Sequence, residues 1–108
     1  MARRVSRGDV WLHRFAPPDK RRPVLVLSRA EALQVMHTAL VAGVTSTIRG
    51  LPTEVALTQE HGMKAPCVAN LDHVFTVAQA DLRVYVGALD PDSMRAVCRA
   101  LGIATGCI

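Results

Sequence analysis

The sequence predicts a small, mainly β domain: a barrel-like sheet with short helices and one helix at the C-terminal end. Short valine-rich apolar segments recur every ten or so residues, and β-branched side chains suit a pleated, half-buried surface. Turn chemistry separates these segments, at Pro17-Pro18, at Gly50-Leu51-Pro52 and at Gly62. Only after Asp90-Pro91 does the apolar pattern take a helical period. The chain has 108 residues, half of them apolar, enough for one core and therefore one domain over residues 1–108.

Each element has a local reason. Residues 1–7 are basic and read as a loose arm. Asp9 to Phe15 alternates and reads as the first strand, and Ala16 to Lys20 holds consecutive prolines and must be a loop. Pro23 to Ser28 is a continuous apolar run, as expected of a strand buried on both faces. Arg29 to Met36 reads as a short helix capped by Ser28, with Glu31 as the third residue after the cap. Thr38 to Thr47 is a long central strand, Arg49 to Pro52 a turn and Thr53 to Leu57 another strand. Thr58 to Gly62 is one helical turn closed by glycine. Cys67 to Leu71 and Val74 to Val77 read as strands broken near Asp72-His73, and Leu82 to Leu89 as the last strand. Asp90 then caps a helix with Pro91 at its first position. Met94, Val97, Cys98 and Leu101 share its apolar face, which is free to pack on its own sheet or on a second copy, and Gly102 ends it.

Charge is unevenly spread. Residues 1–29 contain eight basic and two acidic side chains, whereas the rest contains five basic and seven acidic ones. A basic end on a slightly acidic body can place a positive field on one surface and points to a polyanionic partner. Cys67, Cys98 and Cys107 form no metal-binding spacing with one another or with histidine, so they are read as free thiols. There is no apolar leader segment and no apolar run of membrane length, which predicts a soluble cytoplasmic protein.

Two segments concentrate chemistry. Arg21-Arg22-Pro23 opens one strand and Val44-Thr45-Ser46-Thr47-Ile48-Arg49 closes another. Side by side, they would bring guanidinium and hydroxyl groups to one edge, a plausible place to bind and cut RNA. Metal-free cleavage of RNA needs a base for the 2′-OH, a cation for the phosphorane and an acid for the leaving oxygen. Arg22, held extended by Pro23, suits the second role. Taken alone, it is as well read as a surface charge, and Thr45 to Thr47 as ordinary strand-closing residues. Of the four histidines, His73, beside Asp72 in a strand break, has the most site-like context. No nucleotide-binding glycine loop, nucleophile elbow or metal cluster is visible.

At these residues the chain resembles the MazF/PemK family of toxin endoribonucleases. The resemblance runs from Arg7-Gly8-Asp9-Val10-Trp11 through Arg22-Pro23-Val24-Leu25-Val26-Leu27-Ser28 and Val44-Thr45-Ser46-Thr47-Ile48 with Gly50-Leu51-Pro52-Thr53-Glu54-Val55, to Cys67-Val68-Ala69-Asn70-Leu71-Asp72. It implies an SH3-like barrel of the MazF/CcdB type with a C-terminal helix. It also implies a homodimer, a cognate antitoxin as partner, and metal-independent, sequence-specific cleavage of single-stranded RNA with no cofactor. It assigns catalysis to Arg22 and Thr45. Lys20, Arg21, Ser46, Thr47 and Arg49 are then expected along the RNA backbone, and Asp72 and His73 near bases. The loop before Arg22 is short and carries no glutamate, and His73 stands where the family often has glutamine. The base is therefore unassigned. Two other readings use the same fold: a CcdB-like gyrase poison acting by protein binding, and a non-catalytic nucleic-acid-binding barrel.

Overall fold

The computed structural model describes residues 3–15 and 20–108. Ala16 to Asp19, most of the expected loop, lies outside the described residues, as do Met1 and Ala2. The strands are β1 (Asp9–Arg14), β2 (Arg21–Val26), β3 (Thr38–Thr45), β4 (Glu54–Leu57), β5 (Cys67–Ala78) and β6 (Val84–Ala88), and the α-helices are α1 (Ala30–Val35) and α2 (Pro91–Ala104). They form one sheet in the order β4-β5-β3-β2-β1-β6, antiparallel throughout. The two edge strands do not pair with each other. A 3-10 turn after β4, Gln59–His61, closes the seam: Cβ atoms placed on Gly62 and Gly87 would lie 2.3 Å from the Val86 carbonyl oxygen and 2.1 Å from that of His61, respectively.

Strand alternation divides the core into two layers. Val10, Leu25, Ala42, Val44, Ala69 and Leu71 face α2, which buries Val97 and Ala100 against them. Trp11, Val24, Val26, Val41 and Val77 face the other way and are covered by Val5 and Leu82. Residues 3–7 are thus not a loose arm. Val5 is buried, the Arg3 guanidinium sits 3.7 Å from the centre of the Tyr85 ring, and Arg7 donates to the Leu27 carbonyl. An apolar anchor and a cation–π contact outweigh the solvation that the arginines alone suggested.

Three local readings are corrected. Ser28 does not cap α1. Its Oγ accepts from the Leu40 amide at 2.8 Å, satisfying the sheet instead, and Arg29 stands at the cap with no side-chain bond. The break at Asp72-His73 is a bulge within one continuous strand: Ala42 pairs with Val74 but Gly43 pairs with Asn70, so Leu71 to His73 have no counterparts on β3. Helix α2 continues past Gly102 to Ala104, where Ala104 still packs on the core, and Cys98 is exposed rather than part of the packed face. All three cysteines are free.

Asp90 caps α2 as expected, accepting from the Ser93 amide. Its carboxylate also accepts from the Ser93 hydroxyl at 2.6 Å and from Nε2 of the buried His61 at 3.1 Å. The tautomer is set by the other ring nitrogen, since Nδ1 accepts from the Thr58 amide. These bonds, that of Ser93 foremost and then that of His61, hold the Asp90 carboxyl well below the usual carboxylate range. A depressed folded-state pKa stabilises above the unfolded value and loses that contribution as pH falls below about 4. Asp90→Asn is expected to lower the Tm at neutral pH, with the gap to wild type narrowing as the pH falls below about 4. Thermal melts from pH 7 to 3 check this.

Candidate active site

The site arises where β2 and β3 stop pairing. Val24 pairs with Gly43, Leu25 with Ala42 and Val26 with Val41, and the ladder ends there. Pro23 has no amide hydrogen to extend it. Continued in the same register, Arg22 falls opposite Thr45, and both lie on the face of Val24, Val26 and Val41. The parted strand ends line a cavity of about 450 Å³ that holds Arg22, Thr45, Thr47, Arg49 and His73. Five of the residues singled out in the sequence therefore meet in one place.

The others do not line this cavity. Arg21, one residue from Arg22, faces the opposite side of the sheet beside Arg14 and Arg83, a consequence of strand alternation. Lys20 is exposed and outside the cavity lining. Ser46 opens onto a hollow of about 250 Å³ behind the Arg22-Pro23 and Val44-Thr45 wall, together with Lys64. Asp72 turns away to accept from the Thr53 hydroxyl at 2.6 Å, tying the bulge of β5 to the start of β4.

Phe15, Glu54 and Asn70 line the cavity without having been singled out as site residues. Asn70 and Glu54 arrive by pairing: Gly43 faces Asn70, and Asn70 faces Glu54 on the next strand. Oε1 of Glu54 accepts from the backbone amides of Arg49, Gly50 and Leu51 at 3.1, 2.8 and 3.2 Å. It thereby folds the turn that carries Arg49 to the cavity, with Gly50 at φ +72°. Glu54→Ala should loosen this turn and speed hydrogen exchange at the Arg49, Gly50 and Leu51 amides; unchanged protection would show that Glu54 does not hold the turn.

The chemistry of the cavity favours a phosphate. Among the described residues, neither Arg22 nor Arg49 is in an ion pair, so both forks are available to phosphate oxygens. The Thr45 Oγ1 accepts from the Thr47 amide at 3.1 Å. One lone pair is thus occupied, and the hydroxyl hydrogen is left to donate. An aromatic wall stands alongside: His73 lies against Phe75 at 4.9 Å between ring centres, Phe75 against Phe15 at 5.7 Å and Phe15 edge-on to His13 at 5.0 Å. Among the described residues no three His, Cys, Asp or Glu side chains gather to hold a metal.

Residues 6–105 match the family of PemK-like, MazF-like toxins of type II toxin–antitoxin systems. The chain belongs to this family. It is 44% identical over 105 residues to the probable endoribonuclease MazF5 of Mycobacterium tuberculosis, covering 94% of each chain. It is 36% identical over 90 residues to the endoribonuclease MazF3 of the same species, covering 83% of this chain and 87% of that one. Its fold matches the M. tuberculosis toxin MazF-mt6 with a TM-score of 0.83 at 32% identity, over 91% of this chain and 96% of that one. It also matches a MazE–MazF structure from Deinococcus radiodurans with a TM-score of 0.80 at 26% identity, over 96% of this chain and 97% of that one. The expected MazF-type fold is therefore the observed one: a curled six-stranded sheet with a C-terminal helix. MazF toxins, not gyrase poisons or inert binding barrels, are what the chain resembles along nearly its whole length.

Proposed function

We propose that this MazF-like toxin is an endoribonuclease that cuts single-stranded RNA in the cavity between the ends of β2 and β3. The observation that carries this is the meeting of Arg22 and Thr45 at the point where the two strands part. Arg22 clamps the scissile phosphate and stabilises the charge that grows on it as the 2′-oxygen attacks. An arginine is too weak an acid to give up its proton and act as a base. Thr45 donates its hydroxyl hydrogen to a phosphate oxygen. Arg49 and Thr47 hold the backbone on one side of the scissile bond, and Ser46 and Lys64 on the other. An unpaired strand suits the aromatic wall, because its bases are free to stack.

The test is purified protein on a long RNA in EDTA. Cuts at a recurring short motif are expected, and intact RNA would overturn the reading. Removing the Thr45 hydroxyl in Thr45→Val should slow cleavage about 10²-fold, and unchanged cleavage would remove Thr45 from the site.

The toxin acts in the cytoplasm, as a homodimer restrained by a cognate antitoxin. Its family and the MazE–MazF complex of its D. radiodurans relative support the antitoxin. The guanidinium groups of Arg22 and Arg49 in the cavity make an acidic antitoxin segment a fitting inhibitor. No helix among the described residues is long and apolar enough to cross a membrane. Sedimentation at micromolar concentration should give the mass of two chains, and a strictly monomeric mass would exclude the dimer.

A further inference from the structure

Cleavage by a 2′-oxygen needs a group that takes its proton, and the cavity offers few. Of its lining residues, only Glu54 and His73 carry a carboxylate or imidazole that can serve as a base; the arginines cannot. Glu54 holds three backbone amides on one carboxylate oxygen and is committed to the turn. His73 is exposed, and neither of its ring nitrogens has a hydrogen-bond partner among the described residues. The other histidines are placed differently. His61 has both nitrogens engaged, the Nδ1 of His13 is buried without a partner outside the cavity lining, and His37 lies just before the start of β3, the end remote from Thr45.

The position of His73 is built by the fold. The β5 bulge lifts it off the ladder, Phe75 backs its ring, and Gly43 makes room beneath it. A Cβ on Gly43 would lie 2.8 Å from the His73 Nδ1. Gly43 is two residues from Thr45 on the same face of β3, and pairs with Val24, two residues from Arg22. The imidazole thus stands beside the pair assigned to the phosphate.

We infer that His73 is the general base of this toxin, an inference that rests on the ribonuclease function proposed above. A neutral imidazole nitrogen takes the 2′-OH proton as the O2′–P bond forms. The P–O5′ bond breaks, and water protonates the departing O5′. The products are a 2′,3′-cyclic phosphate and a 5′-hydroxyl, and the imidazolium returns its proton to solvent. The charged groups around the ring are Arg22 and Arg49, Glu54 across the cavity and Asp72 next in the chain. An imidazole must be neutral to act as base, so wild-type cleavage is expected to slow as the solution is made acidic.

The experiment compares wild type and His73→Gln in single-turnover cleavage from pH 5 to 9, with binding of an RNA carrying 2′-deoxynucleotides as uncleavable probe. Glutamine keeps hydrogen bonding but cannot shuttle a proton. His73→Gln is expected to cut about 10²- to 10⁴-fold more slowly at pH 7.5, to lose the acid limb and to bind the probe within a few-fold of wild type. Cleavage within about threefold of wild type with the same acid limb, in an assay where Arg22→Ala is inactive, overturns the inference and leaves the ribonuclease reading standing. A wild type that cuts nothing brings down both. Should His73→Gln fold poorly, Gly43→Ala tests the same point by pushing the ring aside: a loss of at least about tenfold, absent when added to His73→Ala, supports the inference, and an unchanged rate opposes it.

Discussion

Arg22→Ala is expected to leave the protein folded and its RNA uncut. Arg22 is an exposed side chain at the start of β2 with no ion pair among the described residues. Its loss should change stability by no more than about 0.5 kcal/mol, the usual range for such positions. The effect on rate is of another order. Charge develops on the phosphate only as the 2′-oxygen attacks, and a preorganised donor aimed there is worth about 10²- to 10³-fold in kcat. A cation that also positions the phosphate adds to this. Arg22→Lys should recover only part of the rate, because an ammonium supplies charge without the planar fork. Single-turnover rates for the three proteins, beside their melting curves, check this. Full activity in a folded Arg22→Ala protein would remove the arginine from the chemistry.

Gly87→Ala is expected to cost about 3 kcal/mol or more of stability. The added Cβ would sit 2.1 Å from the His61 carbonyl oxygen and 2.6 Å from its carbon. Both are backbone atoms of the 3-10 turn, so no side chain can swing aside. The turn would have to leave β6, reopening the seam between the two edge strands. His61 would carry its bond to Asp90 with it and weaken the cap of α2. With total stabilities of about 5–15 kcal/mol typical of such domains, a loss of this size leaves little margin. Gly50→Ala is the control: nothing lies within 4 Å of its added Cβ, and only φ +72° opposes it, a cost of about 1–2 kcal/mol. Urea denaturation should rank the two variants in that order. Equal midpoints would show that close backbone approach at the seam contributes nothing.

What the sequence made legible was what local chemistry decides. Asp90-Pro91 announces a helix start because capping and a fixed φ act within one turn. The end of β2 shows burial on both faces because no polar residue interrupts Val24-Leu25-Val26. Strand-end position alone left Arg22 and Thr45 as well explained by surface and strand-closing roles, and it was the family resemblance that paired them. The separation of Arg21 from Arg22 was also there to be read, since alternation sends neighbours to opposite faces. What stayed hidden depends on pairing across the sheet. A polar Asp72-His73 step looks the same whether it breaks a strand or bulges out of one, and only the register with Ala42 and Gly43 distinguishes the two. Glu54 gains its role from a turn that it folds itself, and Phe15 from rings on another strand. Ser28 could serve either the helix or the sheet, and the sheet took it.

On the proposed function, the strand-end cavity holds a scissile phosphate for attack by the neighbouring 2′-oxygen. The most direct measurement uses one short RNA containing a mapped cleavage motif, made with either a 2′-hydroxyl or a 2′-hydrogen at the nucleotide 5′ to the cut. The prediction is that both bind alike, that only the hydroxyl form is cut, and that its upstream fragment ends in a 2′,3′-cyclic phosphate. Cleavage of the 2′-hydrogen form at the same bond would rule out attack by the 2′-oxygen.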